Sequence, residues 1–227
     1  MTKEIYRLLE DYMIDCMQDS AHDKEHVYRV LYQAMEIAKV EKGVDYDVLV
    51  CVCLLHDIGR KEQFENTGVC HAKAGAKKAH TFLLKNGFEK IYADKVKACI
   101  ETHRFRKENP PQSLEAKILF DADKLDVTGA IGVARTLLYK GEVRDSLYCL
   151  DSEGKVLDGS EQDTSSFFHE YKYKLEKIYD CFYTKQGKRF AHDRKKAAED
   201  FYNSILKEVQ MTYREGKEEL EKLIYVE

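Results

Sequence analysis

An all-α fold is the reading this chain imposes, on three observations. Apolar residues recur at helical steps of three and four, as in Val27, Val30, Leu31, Ala34, Ile37 and Ala38. The only prolines, Pro110 and Pro111, are adjacent and so mark a single break. The one strongly β-branched run, residues 48–55, has no comparable run nearby to pair with in a sheet.

The elements follow in order. The N-terminus moves straight into an amphipathic pattern. A helix begins near residue 24, with Ser20 and Asp23 as caps, and Gly43 closes it. The run Val48-Leu49-Val50-Cys51-Val52-Cys53-Leu54-Leu55 reads as a helix buried on all sides, ended by Gly59 at a C′-like position. Further helices are expected over about 71–86, 88–104, 113–124 and 128–140. Residues 151–163 are polar and contain glycine, which predicts a loop or flap. Two last helices are expected over about 165–183 and 190–223, the second with Phe201, Ile205 and Val209 at four-residue spacing. Neither an internal repeat nor a low-complexity tract interrupts the pattern. The expected organisation is one domain over 1–227, with a functional core at about 20–140 and a C-terminal helical part at about 165–227.

Bulk properties narrow the function. The chain is long enough to bury a core without disulfides. Its net charge of -4 gives no overall drive towards nucleic acid or an anionic membrane. There is no apolar run long enough to span a bilayer and no signal-peptide pattern. The seven cysteines form no Cys-x-x-Cys pair, and Cys51 and Cys53 lie in an apolar run; this fits reduced thiols in a cytoplasmic protein.

The residues that carry chemistry are His26, His56-Asp57 and Asp123. Two imidazoles and two carboxylates suit a hydrolytic divalent metal if the fold gathers them. Each also has a plainer reading. His26 borders the apolar stripe of its helix, where a histidine is often a hydrogen-bonded core residue. His22, one turn earlier, is a second-layer partner or, more in keeping with its place, a capping or surface histidine. Asp57 ends an apolar helix and needs a cation or hydrogen-bond donors, which a neighbouring helix N-terminus also supplies. Adjacent residues diverge by about 100° on a helix, so His56 and Asp57 reach one ion only near a helix end. Asp123 and Asp126 share a face; Asp121 points elsewhere and is read as a cap for the segment 128–132. His71 opens the cationic, small-residue stretch His71-Ala72-Lys73-Ala74-Gly75-Ala76-Lys77-Lys78, suited to phosphate. Lys77 and Lys78 fit a solvated charged face equally well. His103 follows an apolar helix and is placed to bind phosphate or protonate a leaving group. Arg29 lies one turn from His26.

His26…His56-Asp57…Asp123 resembles the pattern of the HD-domain metal-dependent phosphohydrolases. The flanking motifs His22-Asp23-x-x-His26-x-x-Arg29-Val30, Leu55-His56-Asp57-Ile58-Gly59, Ile100-x-x-His103 and Asp121-Ala122-Asp123-Lys124-Leu125-Asp126-x-x-Gly129-Ala130-Ile131-Gly132 are similar to a small, single-domain bacterial subgroup. Lys174-Leu175, Thr184-x-x-Gly187-Lys188 and Ala191-x-x-Arg194 resemble its C-terminal half. Glu170 departs from that pattern, standing where the subgroup has a histidine.

The resemblance implies an all-α HD-domain helical bundle with additional C-terminal helices. It implies one divalent ion (Mn, Mg, Fe, Co, Ni or Zn) on His26, His56, Asp57 and Asp123, with a second ion as the lesser alternative. Asp57, His103 and Asp126 become the catalytic candidates; Arg29, His71, Lys124 and Lys174 become the substrate contacts. The expected reaction is hydrolysis of a nucleotide, at a phosphomonoester or at a pyrophosphate bond of a nucleoside triphosphate. The alternatives are a cyclic-nucleotide phosphodiesterase and a non-catalytic metal- or nucleotide-binding regulatory module. The expected partner is a small phosphate ester, with no stable nucleic-acid binding, no membrane, and a homodimer left open.

Overall fold

The structure is a computed structural model that describes residues 1–17, 24–104, 108–161 and 165–224. Ser20, His22 and Asp23 lie outside the described residues. The described chain is helical, as the periodicity predicts; among the described residues the only β pairings are two isolated bridges, Ser146 with Ser166 and Leu150 with Val156. It divides into two compact units, one of residues 1–126 with 182–187, the other of 127–181 with 188–227.

The first unit is built from α1 (Lys3–Met17), α2 (Lys24–Ala38), α3 (Tyr46–Leu55), α4 (Arg60–Glu65), α5 (His71–Lys85), α6 (Lys90–Thr102) and α7 (Leu114–Leu125). The ambiguous run 48–55 is indeed a helix. Asp45 caps it by accepting the Val48 N–H at 3.1 Å, and all but one of its residues from Val48 onward are buried. It packs against α1, α2, α6 and α7, so it is the centre of this unit. Each Val or Leu it buries contributes about 1.5–3 kcal/mol. α5 lies along α6, and α2 along α7. Gly43 is left-handed, at φ 81°, but lies in the loop beyond Ala38.

Gly59 does something other than end α3. Its φ is -96°, so no left-handed turn requires it. A Cβ there would sit 2.3 Å from the His71 carbonyl oxygen and 2.4 Å from the Gly75 nitrogen. Gly59 and Gly75 are therefore the contact point at which α5 crosses the turn after α3.

The second unit contains α8 (Gly129–Glu142), α9 (Phe167–Glu170) and most of α10 (Lys185–Ile224). Its core is Val133, Val156, Phe167, Phe168, Tyr171, Leu175, Ala198 and Tyr202. The single helix expected over 165–183 is broken. After α9 comes a π turn, Tyr171–Leu175, and then a 3-10 turn, Ile178–Asp180. The wider π turn places Tyr171 and Leu175 together in the core, where Tyr171 stacks on Tyr202 with ring centres 4.0 Å apart. Periodicity cannot signal this, because the apolar residues still recur every four positions. The polar stretch after Leu150 is a tied turn: the Asp151 carboxylate accepts the N–H groups of Glu153 and Lys155, each at 2.9 Å, and Val156 is buried.

Candidate metal centre

Five helices of the first unit end or begin at one cluster. His26 stands in the first turn of α2. His56 is the C-cap of α3, and Asp57 follows it in the turn, where the helix no longer holds the two apart. His71 opens α5, His103 caps the end of α6, and Asp123 and Asp126 lie at the end of α7. The glycine contact between Gly59 and Gly75 is what lets the start of α5 approach the Asp57 turn.

All four histidines are buried, and each has its Nδ1 fixed. His56 donates from Nδ1 to the Cys53 carbonyl at 2.8 Å, and His103 does the same to the Ile100 carbonyl at 2.7 Å. His26 donates to Asp126 at 2.7 Å, and His71 to the Gln63 side-chain oxygen at 2.7 Å. Every Nε2 is thereby turned inward, which is how ligating imidazoles are oriented. His26 Nε2 lies 3.4 Å from His56 Nε2, 3.4 Å from Asp123 Oδ1 and 3.5 Å from Asp57 Oδ2. Asp57 Oδ2 is 3.7 Å from His56 Nε2, is buried, and accepts no hydrogen bond. A buried carboxylate oxygen without a donor, facing inward-turned imidazole nitrogens and a second carboxylate, is a cation's coordination set. The residues present fit a divalent ion.

The second Asp57 oxygen faces another pair. Oδ1 lies 3.7 Å from His71 Nε2 and 3.6 Å from His103 Nε2, and those two nitrogens are 3.3 Å apart. This oxygen already has a cation: Arg60 donates to it from Nε at 3.0 Å. Arg60 lies one turn beyond Asp57 and went unremarked in the sequence, although that spacing on a helix start was the available signal.

Charge explains the titration behaviour. Burial opposes charging His26, but the carboxylates of Asp123, Asp126 and Asp57 outweigh it and raise its pKa to about 10. Burial lowers His56 to about 4; burial, then Arg60, lowers His71 to about 3. Asp57 is held well below the usual carboxylate range: burial raises it, and Arg60, His56 and the nearby His103 and His26 rings win. Asp123 is lowered likewise, burial being overcome by Lys124 and His26.

The other sequence-predicted residues fall as follows. Asp126 binds two groups, His26 Nδ1 and the Arg29 guanidinium, whose Nε donates at 2.8 Å. Lys124 donates to Asp123 Oδ2 at 2.8 Å. Lys174, in the second unit, pairs with Glu170 at 2.9 Å. Asp121 stands apart from the cluster, as its position on α7 implies, but caps a different helix from the one expected. Its carboxylate accepts the N–H groups of Tyr183 and Thr184 and the Thr184 hydroxyl, at 2.8, 2.7 and 2.7 Å, and so anchors the start of α10 rather than segment 128–132.

Comparison with known proteins agrees with this geometry. Residues 24–128 match the HD domain, and that span contains every residue of the cluster. The crystal structure of a predicted HD-superfamily hydrolase from an uncultured Thermotogales bacterium is 30% identical, with 91% of each chain covered and a TM-score of 0.58. The chain belongs to the HD superfamily. An HD-superfamily hydrolase of Bacillus thuringiensis is 26% identical, covers 91% of this chain and 97% of its own, and has a TM-score of 0.69. YpgQ of Bacillus subtilis is 28% identical over 197 residues, 85% of this chain and 86% of its own. A crystal structure of YpgQ in complex with ADP shares the fold at a TM-score of 0.67, with 22% identity and 88% and 97% of the two chains covered. Two of these relatives are HD-superfamily hydrolases, and the histidine–aspartate cluster of this chain fits a metal-dependent hydrolase. Among the described residues, no helix is long and apolar enough to cross a membrane.

Proposed function

We propose that this HD protein is a metal-dependent phosphohydrolase acting on nucleotides, at a phosphomonoester or a nucleoside triphosphate pyrophosphate bond. The observation that carries the reading is the donorless, buried Oδ2 of Asp57 among His26, His56 and Asp123. These four residues would hold one divalent ion. When bound, that ion supplies an activated water and polarises a phosphoryl oxygen.

The remaining steps belong to the chain. Asp126 fixes the His26 ring, so that Nε2 and not Nδ1 faces the centre. Arg60 balances the Asp57 charge from the opposite side. Arg29 and Lys124, at the margin, supply donors for phosphate oxygens, and His103 is the candidate to protonate the leaving group; His71, neutral and with its proton on Nδ1, offers Nε2 to the substrate only as an acceptor. A nucleotide substrate is favoured because the relative YpgQ has been crystallised with ADP.

A second reading gives Asp57 Oδ1, His71 and His103 a second ion, since their ligand atoms also lie close together. Arg60 speaks against it, because its guanidinium already neutralises Oδ1. The test is release of phosphate and pyrophosphate from a panel of nucleoside mono-, di- and triphosphates and cyclic nucleotides, with Mn²⁺ and with chelator. Metal-dependent release from one nucleotide class supports the proposal. Turnover that persists in chelator, or none across the panel, refutes it.

A further inference from the structure

The cationic stretch that opens α5 divides in the folded chain. His71 turns into the metal cluster, whereas Lys77 and Lys78 line a separate hollow to which no residue of the cluster contributes. This hollow, about 320 Å³ in volume, lies between α1 and α5 and is lined by Tyr12, Lys77, Lys78, Thr81, Phe82 and Lys85. Such a volume is at the lower end of the range for small-molecule sites.

Helical spacing explains the arrangement. Residues 77, 78, 81, 82 and 85 recur at steps of three and four, so one face of α5 presents them all. That face runs for about 12 Å. Against it, the Tyr12 ring of α1 lies flat on the Phe82 ring, with centres 3.8 Å apart and planes 5° from parallel. The stacked pair fixes the spacing of the two helices there and gives the hollow an apolar side.

Charge gives the hollow a preference. Among the described residues no carboxylate lines it, although the chain has 41 acidic against 37 basic groups. Lys78 is already engaged: its Nζ donates to the Ile58 carbonyl and to Glu62 Oε1, each at 2.8 Å. Among the described residues, the Lys77 and Lys85 ammoniums have neither a hydrogen bond nor an ion pair. They flank Thr81 by one turn on either side, so their flexible stems can converge on one group above its hydroxyl. Two ammoniums and a hydroxyl beside an apolar wall match a phosphate joined to a carbon skeleton. Lysine binds the phosphate as a point charge, and the rings and lysine stems cover the skeleton.

We propose that the hollow between α1 and α5 is a second, metal-independent binding site, for a phosphorylated small molecule with an apolar body. The site stands apart from the reaction proposed above.

The test is amide NMR of the full-length protein in chelator, titrated with phenylphosphonate, which has no P–O ester bond to hydrolyse, and separately with inorganic phosphate. Phenylphosphonate should bind saturably, with shifts centred on Tyr12 and residues 77–85. It should bind more tightly than inorganic phosphate, which lacks the apolar body. The double variant Lys77→Ala, Lys85→Ala should weaken it by about tenfold or more, the loss of two charge-assisted contacts. Both side chains are exposed, so the double variant keeps the fold. Lys42→Ala, exposed and outside the hollow, should leave the affinity within about twofold. Each of five results would overturn the proposal: no saturable binding, shifts centred on the histidine cluster, equal affinity for inorganic phosphate, a silent double variant, or equal weakening by Lys42→Ala. None of them bears on the metal-dependent reaction, which the chelator suspends.

Discussion

The two oxygens of Asp57 occupy opposite electrical surroundings less than a side chain apart. Oδ2 faces His26, His56 and Asp123, accepts no hydrogen bond, and lies where burial makes an unmatched charge costly. Oδ1 faces His71 and His103, a similar pair of imidazoles, yet already receives the Arg60 guanidinium. Similar ligands on the two sides therefore do not imply similar function. One oxygen has no hydrogen-bond donor and the other has a guanidinium. Under the proposed function, the same carboxylate would hold a metal on one face and leave the opposite histidines to the substrate.

The largest effect expected from this contrast is that of Asp57→Ala, which removes both faces. Turnover and tight metal binding should vanish together, with circular dichroism confirming a folded chain. Retained wild-type activity would break the account. Next is His103→Ala, which touches only the Oδ1 side. It should lower kcat by roughly 10²–10⁴ if His103 is the general acid, or raise KM if it only binds phosphate, with the metal retained in either case. Metal loss in that variant would move His103 into the coordination set.

Asp126→Asn should be milder. The amide keeps a contact to His26 Nδ1 but weakens the ring's orientation and its basicity. Metal affinity should fall by about 10- to 100-fold, measured by competition with a chelating dye. Unchanged affinity would mean that Asp126 serves Arg29 and not the metal.

The pH response separates the sides again. A proton on His26 stabilises the metal-free chain, because its folded pKa of about 10 exceeds the ordinary 6.5. That contribution is complete below about pH 6.5 and fades as pH rises through about 10. His56 and His71 have folded values lowered to about 4 and about 3, so they cost stability as pH falls from about 6.5 towards those values. The metal-free melting temperature should therefore peak near pH 6.5 and fall on both sides. Binding of Mn²⁺ should remove the alkaline decline, because the ion takes the place of the His26 proton. An unchanged alkaline decline in the loaded protein would argue that His26 is not a ligand.

Much of this was legible in the sequence, for physical reasons that differ by residue. The buried helix 46–55 could be read because eight consecutive apolar residues have no other economical placement. His56 and Asp57 were readable because such a helix must end before two polar residues. Gly59 was misread as a helix stop, since nothing local announces that another helix will cross there at contact distance. The π turn at Tyr171–Leu175 escaped for a related reason: packing against Tyr202 selects it, and Tyr202 is distant in sequence. Asp121 was correctly set apart from the centre, but its true partners, Tyr183 and Thr184, are some sixty positions away and carry no pattern that points back to it. The neutralised Oδ1 had only a weak signal, the i, i+3 spacing of Asp57 and Arg60, because such an arginine looks like surface charge until the fold buries its partner.

The most direct test is the number of Mn²⁺ ions tightly held per chain, by elemental analysis after exhaustive dialysis, in the wild type, His26→Ala and His71→Ala. One ion, none and one is the predicted result. Two ions in the wild type, or loss of the ion in His71→Ala, would show that the Oδ1 side is a metal site too and would contradict the contrast drawn between the two faces of Asp57.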